Sequence, residues 1–513
     1  MTRFNPCFLC LILVLALPVL AEPTVEEDWY VLLNGDDRIG YMQATAQIAD
    51  NGDITTGQTV KLVMARAGTR MEIEIASSFV ESAAGEPIQA SSTMSMGGLP
   101  LVTEVEFGEK AMKVSSGQGG RMNTTMQRPI EGDWLPPAAM ARYVKEQLAA
   151  GAETIQTRTV DVSSGLEPME LTMRVRGRED VEVYGKVVPA IAWDATVSAM
   201  PGVTMREYVT DEGKSIKSTI ALMPGMEITV LQADKALALS ELTPAEMMAQ
   251  TFVVPSRPIE RPRELVRGVY HLQTVDGKAF PDLPTTGAQV VLRNGNGAEV
   301  RVDQTNPQFH PDPGAEYLQS SPILNLKDPE VVEEFRRAKF GSTRIELGPG
   351  AGQATHYPDM SQYERAYALK HWVYRRVQTK DLSVGFATAS DVVRTKQGDC
   401  TEHAVLLAAL LRAEGIPSRC VSGLIYADQF VGHEGIFGYH MWTQAWLIPP
   451  GETRYRWVDL DATLLVPVAF DATHIALSVS DMNGGVAGND MAALLPLMGN
   501  LEIEVVETVY AEE

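Results

Sequence analysis

The chain has 513 residues, of which 45% are hydrophobic and 21% charged, and its formal net charge at pH 7 is −23. A nucleic-acid partner is not expected, because phosphate binding requires clustered Lys and Arg, and here 66 acidic residues outnumber 43 basic ones. This length and apolar fraction predict two to four globular domains.

The first 21 residues have the features of a secretory signal peptide. Arg3 is followed by an apolar run from Phe8 to Leu20, and Val19-Leu20-Ala21 matches a small-residue cleavage site. The run is shorter than the roughly 20 residues that a membrane span needs, and no later segment has the unbroken apolar length of a transmembrane helix. We therefore expect an exported protein, periplasmic or extracellular, with no transmembrane segment after cleavage.

Residues 22–254 are predicted to form one large antiparallel all-β domain, a curved sheet or an open barrel. From about Asp28 to Ala238, apolar and polar residues alternate, as at Ile73 and Ile75, which is the pattern of strands with one buried face. One helix is predicted inside this region, from Pro136 to Ala150. The region contains no catalytic motif.

A proline-rich stretch, VPSRPIERPRE, comes after this domain and predicts a semi-rigid linker with a boundary near residue 255. Residues 255–320 are interpreted as this linker and a small β segment, with a hairpin tip at RNGNGAEV. The segment is either a small β domain of its own or a cap on the next domain. Residues 321–513 form that last predicted domain.

The hydrophobic period changes to that of helices from Asp328 onwards. Asp328-Pro329 begins a predicted helix, and Ser361 with Glu364 forms a capping box before a second one. A third helix begins at Cys400, and strands come after it. Helices that lead into an antiparallel sheet indicate an α+β fold.

Cys400 lies at the polar start of the third helix rather than within its apolar face. Asp399 and Glu402 have the spacing of a capping box, which puts Cys400 at the first helical position, and Gly415 with Pro417 ends the helix. Glu402 is therefore interpreted as a cap. Unpaired N–H groups and the positive end of the helix dipole favour a thiolate at that position, so Cys400 is predicted to be a catalytic nucleophile.

Cys420 is not expected to form a disulfide with Cys400. Signal cleavage would remove Cys7 and Cys10 and leave these two cysteines, and export would favour their oxidation. However, a helix over residues 400–414 is roughly 20 Å long, and Cys420 begins the next strand near its far end, beyond the approximately 7 Å limit for a bridge. Cys420 is predicted to be a buried small hydrophobe and Cys400 a free thiol.

The predicted general base is His440. In FGYHMWTQAWLI, strand alternation puts His440 and Trp442 on one face, and Trp442 is a candidate wall of the site. Two carboxylates, Asp459 and Asp461, come after a Pro-Pro-Gly turn. A hairpin centred on residues 450–451 places Asp461 opposite His440, whereas a Pro-Pro turn would select Asp459 and is a poor tight turn. We favour Asp461 as the carboxylate that orients His440.

Three segments together resemble the transglutaminase-like superfamily: GDCTEHAVLLAALLRAEGIPSRCVSGLIY, YHMWTQAWL and WVDLDAT. The resemblance covers about residues 320–480 and does not extend to the N-terminal half. It implies a papain-like core with a cysteine on a helix and a histidine and an aspartate on adjacent strands. Cys400 then matches the nucleophile, His440 the base and Asp461 the orienting carboxylate. Ala462 departs from the proline that many members have after this aspartate.

The predicted fold class is therefore multidomain, with an N-terminal antiparallel all-β domain and a C-terminal α+β transglutaminase-like (papain-like) domain. The resemblance implies a cysteine-dependent amide-bond hydrolase or acyltransferase, peptidase-like or transglutaminase-like, that works through a thioester, and the signal peptide predicts that this enzyme is exported. The backbone N–H of Cys400 is expected to be one oxyanion donor. The expected partner is a protein or peptide substrate, with the cell envelope as one source. The alternative is a non-catalytic transglutaminase-fold scaffold or binding protein of the envelope.

No cofactor or metal ion is expected. The candidate metal ligands are His433, Glu434 and His440, but they do not form an H-E-x-x-H motif, and a glycine-rich segment separates them. A zinc site requires three or four ligands in a closed geometry. His403 is interpreted as a residue of the helix face rather than a ligand.

Overall fold

A computed structural model describes residues 25–511 except for 67, 98, 119–120, 201, 212, 224–225, 247, 279, 307, 309, 342–356, 381, 383, 466–467 and 483–494. The predicted signal peptide, with Cys7 and Cys10, lies outside the described residues. The chain divides into two compact units between residues 246 and 247, which we call the N-terminal unit and the C-terminal unit. In the described part of the chain, no helix has the length and apolar character needed to cross a bilayer.

The N-terminal unit contains a 15-stranded sheet in which neighbouring strands are antiparallel, apart from the short parallel pair of β15 (Ala245–Glu246) with β3 (Ile54–Arg66). The other strands are β1 (Val25–Asn34), β2 (Asp37–Ile48), β4 (Thr69–Glu81), β5 (Pro87–Met96), β6 (Leu101–Glu106), β7 (Met112–Gln118), β8 (Arg121–Gln127), β9 (Thr154–Thr159), β10 (Met169–Val183), β11 (Lys186–Val197), β12 (Met205–Val209), β13 (Ser215–Met223) and β14 (Met226–Ala233). Their order is β8-β7-β6-β5-β4-β3-β2-β1-β14-β13-β12-β11-β10-β9.

Alternating burial along the strands accounts for this sheet. In β4, Ile73 and Ile75 are buried and Glu74 between them is exposed, as expected for strands with one face on the core. Among the described residues of this unit, two α-helices accompany the strands, α1 (Pro137–Ala149) and α2 (Lys235–Ala238). Helix α1 lies where the sequence predicts a helix. The N-terminal region is therefore the predicted large antiparallel sheet.

The described part of the C-terminal unit contains two four-stranded antiparallel sheets and four α-helices. The first sheet has the order β17-β18-β16-β23, and the second has the order β21-β20-β19-β22. The strands are β16 (Leu265–Thr274), β17 (Gln289–Asn294), β18 (Gly297–Asp303), β19 (Ser418–Phe430), β20 (His433–Leu447), β21 (Arg456–Leu460), β22 (Ile475–Ser480) and β23 (Leu501–Tyr510). The helices are α3 (Pro329–Gly341), α4 (Gln362–Arg376), α5 (Ala389–Thr395) and α6 (Cys400–Ala413). This α+β region agrees with the predicted fold class.

The strands of segment 255–320 form a sheet with the last strand of the described chain. β16 pairs with β18 on one side and with β23 on the other. Tyr270 on β16 is buried, and its hydroxyl donates a hydrogen bond to the carbonyl of Ala472 at 2.8 Å. Segment 255–320 therefore packs as part of the C-terminal unit.

Helix α6 is the central helix of the C-terminal unit, because every residue from Cys400 to Arg412 is buried. The buried guanidinium of Arg412 donates to the carbonyls of Gln319, Ser418 and Asp481. These hydrogen bonds replace the hydration that the guanidinium loses in the core. The second sheet lies against this helix, and Thr443 on β20 donates to the carbonyl of Ala404 at 3.0 Å. This packing brings the start of α6 beside β20.

Candidate active site

Cys400 occupies the first position of α6, where the capping pattern predicts it. The Asp399 carboxylate accepts a hydrogen bond from the backbone N–H of Thr401 at 3.0 Å. The Glu402 carboxylate accepts from the N–H of Asp399 at 2.8 Å and from the N–H of Ala387 at 2.9 Å. One oxygen of Glu402 thus caps the helix start, as predicted, and the other holds the segment before α5 at Ala387.

Gly398 allows the chain to enter this helix. Its φ is 148°, and an added Cβ would lie 2.2 Å from the Cβ of Glu402. A residue with a side chain would be strained at this φ and would displace the capping carboxylate. Glycine is thus required two residues before Cys400.

The structure brings the three predicted catalytic side chains together. His440 lies on β20, opposite Gly423 of β19. Its Nε2 lies 2.8 Å from Oδ2 of Asp461, and the imidazole also makes a hydrogen bond with the Cys400 side chain. The order is therefore thiol, imidazole, carboxylate, with the imidazole between its two partners.

The predicted hairpin register is wrong, although the favoured carboxylate makes the contact. The last pair before the β20–β21 loop is Leu447 with Arg456. Extended by one residue beyond β21, this register would set Asp461 across from Trp442 rather than His440. The two prolines of the loop have no N–H to continue the ladder, so the loop is wider than a tight turn. Asp461 reaches His440 diagonally, from the first position after β21.

Asp461 is held by its own turn and by a buried lysine. Its Oδ1 accepts from the backbone N–H and the hydroxyl of Thr463, at 2.8 and 2.7 Å. Lys370 on α4 is buried and donates to the carbonyls of Leu464 and Val468, at 2.5 and 2.8 Å, in the loop after Asp461. These contacts leave Oδ2 directed at His440.

The electrostatics of the His440–Asp461 pair favour a charged imidazole. Burial alone would lower the pKa of His440, but the charge and hydrogen bond of Asp461, together with the Cys400 contact, raise it to about 9. Burial alone would raise the pKa of Asp461, but His440 and His474 hold it well below its usual range. An imidazolium–carboxylate pair is therefore the stable form at neutral pH.

Trp442 walls one side of His440, and Asp459 holds Trp442 in place. The two rings are stacked, with centroids 6.3 Å apart and an interplanar angle of 20°. Asp459 accepts from the Trp442 indole N–H at 2.9 Å and from the Gln444 amide at 2.7 Å. Asp459, the carboxylate that was not favoured, therefore supports the wall and does not contact the imidazole through a hydrogen bond.

Residues 351–462 match the profile of the Transglutaminase-like superfamily, and this range includes Cys400, His440 and Asp461. The C-terminal unit contains a transglutaminase-like domain. Uncharacterized proteins of Mycobacterium bovis and Mycobacterium tuberculosis are 34% identical to this chain over 77 residues, which are 14% of this chain and 24% of theirs. The chain thus spans about a quarter of these relatives.

Three solved structures are similar over larger shares of the chain. A β-barrel-like protein with a domain of unknown function from Brucella abortus has 12% identity and a TM-score of 0.32, covering 42% of this chain and 98% of that one. A proposed cysteine protease from Cytophaga hutchinsonii has 14% identity and a TM-score of 0.25, covering 48% and 86%. A proposed protease from Parabacteroides distasonis has 12% identity and a TM-score of 0.18, covering 80% and 70%.

His474 of the C-terminal unit is a neighbour of the site that the sequence patterns did not predict. This buried residue directly precedes β22, and its Nε2 lies 3.2 Å from Oδ2 of Asp461. A signal was present, because DATH at 471–474 repeats the DAT of 461–463. In both copies the aspartate accepts a hydrogen bond from the N–H of the threonine two residues later. The repeat indicates two similar turns, but not that their side chains meet.

Cys420 and His403 lie in the core of the transglutaminase-like domain. Cys420 is fully buried on β19 opposite Thr443, and neither Cys400 nor Cys420 is in a disulfide. His403 is buried one turn after Cys400, with Nδ1 2.5 Å from the carbonyl oxygen of Asp399. Burial lowers the pKa of His403 to about 4. A neutral ring at this position does not add to the charge of the site.

Within the described ranges, the side chains close enough to share a metal ion are His440, Asp461 and His474, whose ligand atoms lie within 4.8 Å of one another. Two ligands of a tetrahedral zinc, each at about 2.0–2.1 Å, lie about 3.3 Å apart. The His440–Asp461 distance of 2.8 Å is shorter than this and is that of a hydrogen bond. The earlier candidates His433 and Glu434 are exposed and do not join the group.

Proposed function

We propose that this protein is an exported cysteine-dependent enzyme that hydrolyses amide bonds or transfers their acyl groups to amines. The observation that carries this proposal is the hydrogen-bonded order of Cys400, His440 and Asp461 in a transglutaminase-like domain. A cysteine at a helix start, next to an imidazole that is easily charged, is suited to form a thiolate–imidazolium pair.

The proposed reaction has two steps. The Cys400 thiolate attacks the amide carbonyl, the carbon–nitrogen bond breaks, and the His440 imidazolium gives its proton to the leaving amine, which leaves a thioester. His440 then takes a proton from water or a second amine, which attacks the thioester and releases the thiolate. Asp461 keeps the imidazole oriented throughout, and the backbone N–H of Cys400 is the proposed oxyanion donor.

The proposed substrate is a protein or peptide, and the proposed compartment makes the cell envelope its natural source. Water and amines compete for the same thioester, so one site supports both hydrolysis and acyl transfer. Peptide and isopeptide libraries, assayed with and without an added primary amine, separate the two. Release of acid with or without the amine indicates a hydrolase, and capture of the amine in the product indicates an acyltransferase.

The activation of Cys400 is testable by alkylation with iodoacetamide at pH 6. A free thiol with a pKa of about 8.5 is only about 0.3% thiolate at that pH, whereas an ion pair is mostly thiolate. We expect Cys400 of the wild type to react on the order of 100-fold faster than Cys400 of the His440→Ala variant. Mass spectrometry of peptides identifies the labelled cysteine, with Cys420 as the internal reference.

Two controls make this experiment decisive. A Cys400→Ser variant shows the background from Cys420, which is completely buried. Circular dichroism shows whether His440→Ala is folded before its rate is compared. If wild type and His440→Ala react equally slowly, the alternative is favoured, in which the transglutaminase-like fold is a non-catalytic scaffold or binding protein.

Export is proposed from residues 1–21 and is tested by the N-terminus of the protein produced in a bacterial host. We expect a mature chain that begins at Glu22 and is found outside the cytoplasm. Placing charges in the apolar run, with Leu13→Arg and Leu15→Arg, should leave the uncleaved precursor inside the cell, because the export machinery requires that run to be apolar. An uncleaved wild-type chain in the cytoplasm would contradict the proposal.

A further inference from the structure

His474 lies between two buried carboxylates of the C-terminal unit. Its Nε2 is 3.2 Å from Oδ2 of Asp461, and its Nδ1 is 2.9 Å from the backbone carbonyl oxygen of Asp471 and 3.4 Å from its Oδ1. The side chain has no exposed surface. Asp471 in turn forms an ion pair with the Arg263 guanidinium.

The two contacts determine the protonation of His474. A carbonyl oxygen and a carboxylate oxygen only accept hydrogen bonds, so each ring nitrogen that faces one must carry a hydrogen. A neutral imidazole carries one hydrogen and would turn a lone pair toward one of these oxygens, which is costly in a buried site. The ring is therefore an imidazolium, and the flanking carboxylates raise its pKa to about 9 against the effect of burial.

This imidazolium acts on the same oxygen as the catalytic imidazole. Oδ2 of Asp461 lies 2.8 Å from His440 and 3.2 Å from His474, and Thr463 holds the other oxygen of the carboxylate. The rings of His440 and His474 are 5.8 Å apart. At this distance a charge on His474 opposes a charge on His440, so His474 weakens the effect of Asp461 on the base while it fixes the carboxylate.

We propose that His474 is a positioning residue that holds Asp461 against His440 and sets the upper pH limit of the Cys400–His440 pair. The proposal rests on the proposed function, which it deepens by adding a fourth residue to the site. His474 lies beyond residues 351–462, the range that matches the family profile, and its contacts with Asp461 and Asp471 are the basis of this role.

The other charged groups near His440 and His474 are the same in every variant considered. From α4, Lys370 interacts with Asp461, and burial lowers the pKa of this lysine to about 8. From the chain after α4, Lys380 also interacts with Asp461. On α6, His403 is neutral at the pH values of interest. Arg263 stays charged beside Asp471.

Nitrogen-15 NMR of the histidine side chains tests the protonation directly. The His474 signals are those that disappear in a His474→Gln variant. We expect both ring nitrogens of His474 to carry hydrogen at pH 7 in the wild type. A neutral tautomer at pH 7 would overturn the proposal. This readout needs no substrate, so it stands even if the enzyme proposal fails.

Two conservative variants separate positioning of Asp461 from support of Asp471. The amide nitrogen of His474→Gln is near the position of Nε2 and can still donate to Asp461, whereas that of His474→Asn is near Nδ1 and can reach only Asp471. At pH 6, the iodoacetamide rate of Cys400 should stay within about threefold of wild type in His474→Gln and fall about tenfold in His474→Asn. Equal rates in both variants and wild type would overturn the proposal.

The pH profile supplies the second expected difference. Replacing the imidazolium by the neutral amide in His474→Gln removes a like charge from the neighbourhood of His440, so the pKa of His440 should rise by about one unit. The His440 signals in the same NMR titration measure this rise, and an unchanged pKa would contradict it. If Cys400 of the wild type reacts no faster than Cys400 of His440→Ala, the proposed function fails. If the wild type reacts faster than His440→Ala but both His474 variants react at the wild-type rate, only the role of His474 is removed.

Discussion

Asp459 and Asp461 are two residues apart and have different chemical tasks. Asp459 accepts hydrogen bonds from neutral donors, the Trp442 indole, the Gln444 amide and the backbone N–H of Ala288. Asp461 faces two imidazoles, which are the groups that gain a charge beside it. The first carboxylate therefore supports the structure of the site, and the second raises the pKa of His440.

Replacing each aspartate by asparagine should separate these tasks. Asp461→Asn removes the charge that raises the pKa of His440, so the iodoacetamide rate of Cys400 at pH 6 should fall about tenfold or more. Asp459→Asn leaves an amide nitrogen facing a donor, so it should lower the free energy of unfolding by about 1–3 kcal/mol and change the rate of the folded protein little.

Rates measured on folded protein and denaturant titrations of both variants check this pair of expectations. Asp459→Asn is the matched control for Asp461→Asn, because the change of atoms is identical and only the position differs. Equal losses of rate in the two variants would show that the carboxylates do not have separate tasks.

Among the elements, helix α6 was predictable because its start depends on near neighbours in sequence. The capping pair Asp399 and Glu402 and the positive-φ Gly398 lie within four residues of one another, and their contacts form locally. The position of Cys400 follows from them. Local hydrogen bonding is the part of this site that sequence patterns describe well.

The pairing of β20 with β21 was less predictable, because strand register depends on how the loop between them closes. The prediction assumed a tight turn centred on Pro450 and Gly451, and the structure has a wider loop that begins after Leu447 and ends before Arg456. Asp461 contacts His440 for a different reason, because a residue just beyond the end of one strand can reach diagonally to the neighbouring strand. Agreement on a residue therefore does not verify the register used to select it.

Apart from the contact of Asp461 with His440, the contacts between distant elements were not predicted from the sequence patterns. Three separate elements meet at Asp461: β20 brings His440, α4 brings Lys370 to the following loop, and the turn before β22 brings His474. Likewise, β23 completes the sheet of β16 from more than 200 residues away. The periodic patterns of a single sequence describe local structure and do not identify which distant residues contact each other.

For the molecule as a whole, the N-terminal unit contains a separate buried carboxyl group that can ionise. Glu207 on β12 has no exposed surface and accepts hydrogen bonds from the hydroxyls of Ser215 and Ser218. Burial raises the pKa of Glu207 to about 8, although both serines act in the opposite direction. Two hydroxyls do not replace the hydration of a carboxylate, so the folded unit keeps this residue protonated at neutral pH.

The stability of the N-terminal unit should therefore decrease with rising pH. Glu207 in the unfolded chain ionises near its ordinary value of 4.5, whereas in the folded chain it keeps its proton to about 8. The folded state binds more protons between these values, so the free energy of unfolding falls across that window, by a few kcal/mol at about 1.4 kcal/mol per unit of pKa difference. Above pH 8 this contribution is lost.

Hydrogen–deuterium exchange of peptides from β12 measures this effect in the N-terminal unit alone, because the pH dependence of His440 and His474 belongs to the other unit. Glu207→Gln is the matched variant, since its amide keeps an acceptor for the serines and cannot ionise. At pH 5 the variant and the wild type should be similarly protected, and at pH 8.5 the variant should be better protected. Comparing the two proteins at equal pH cancels the pH dependence of the exchange reaction itself. A difference in protection that stays constant between pH 5 and pH 8.5 would show that Glu207 does not cause this pH dependence.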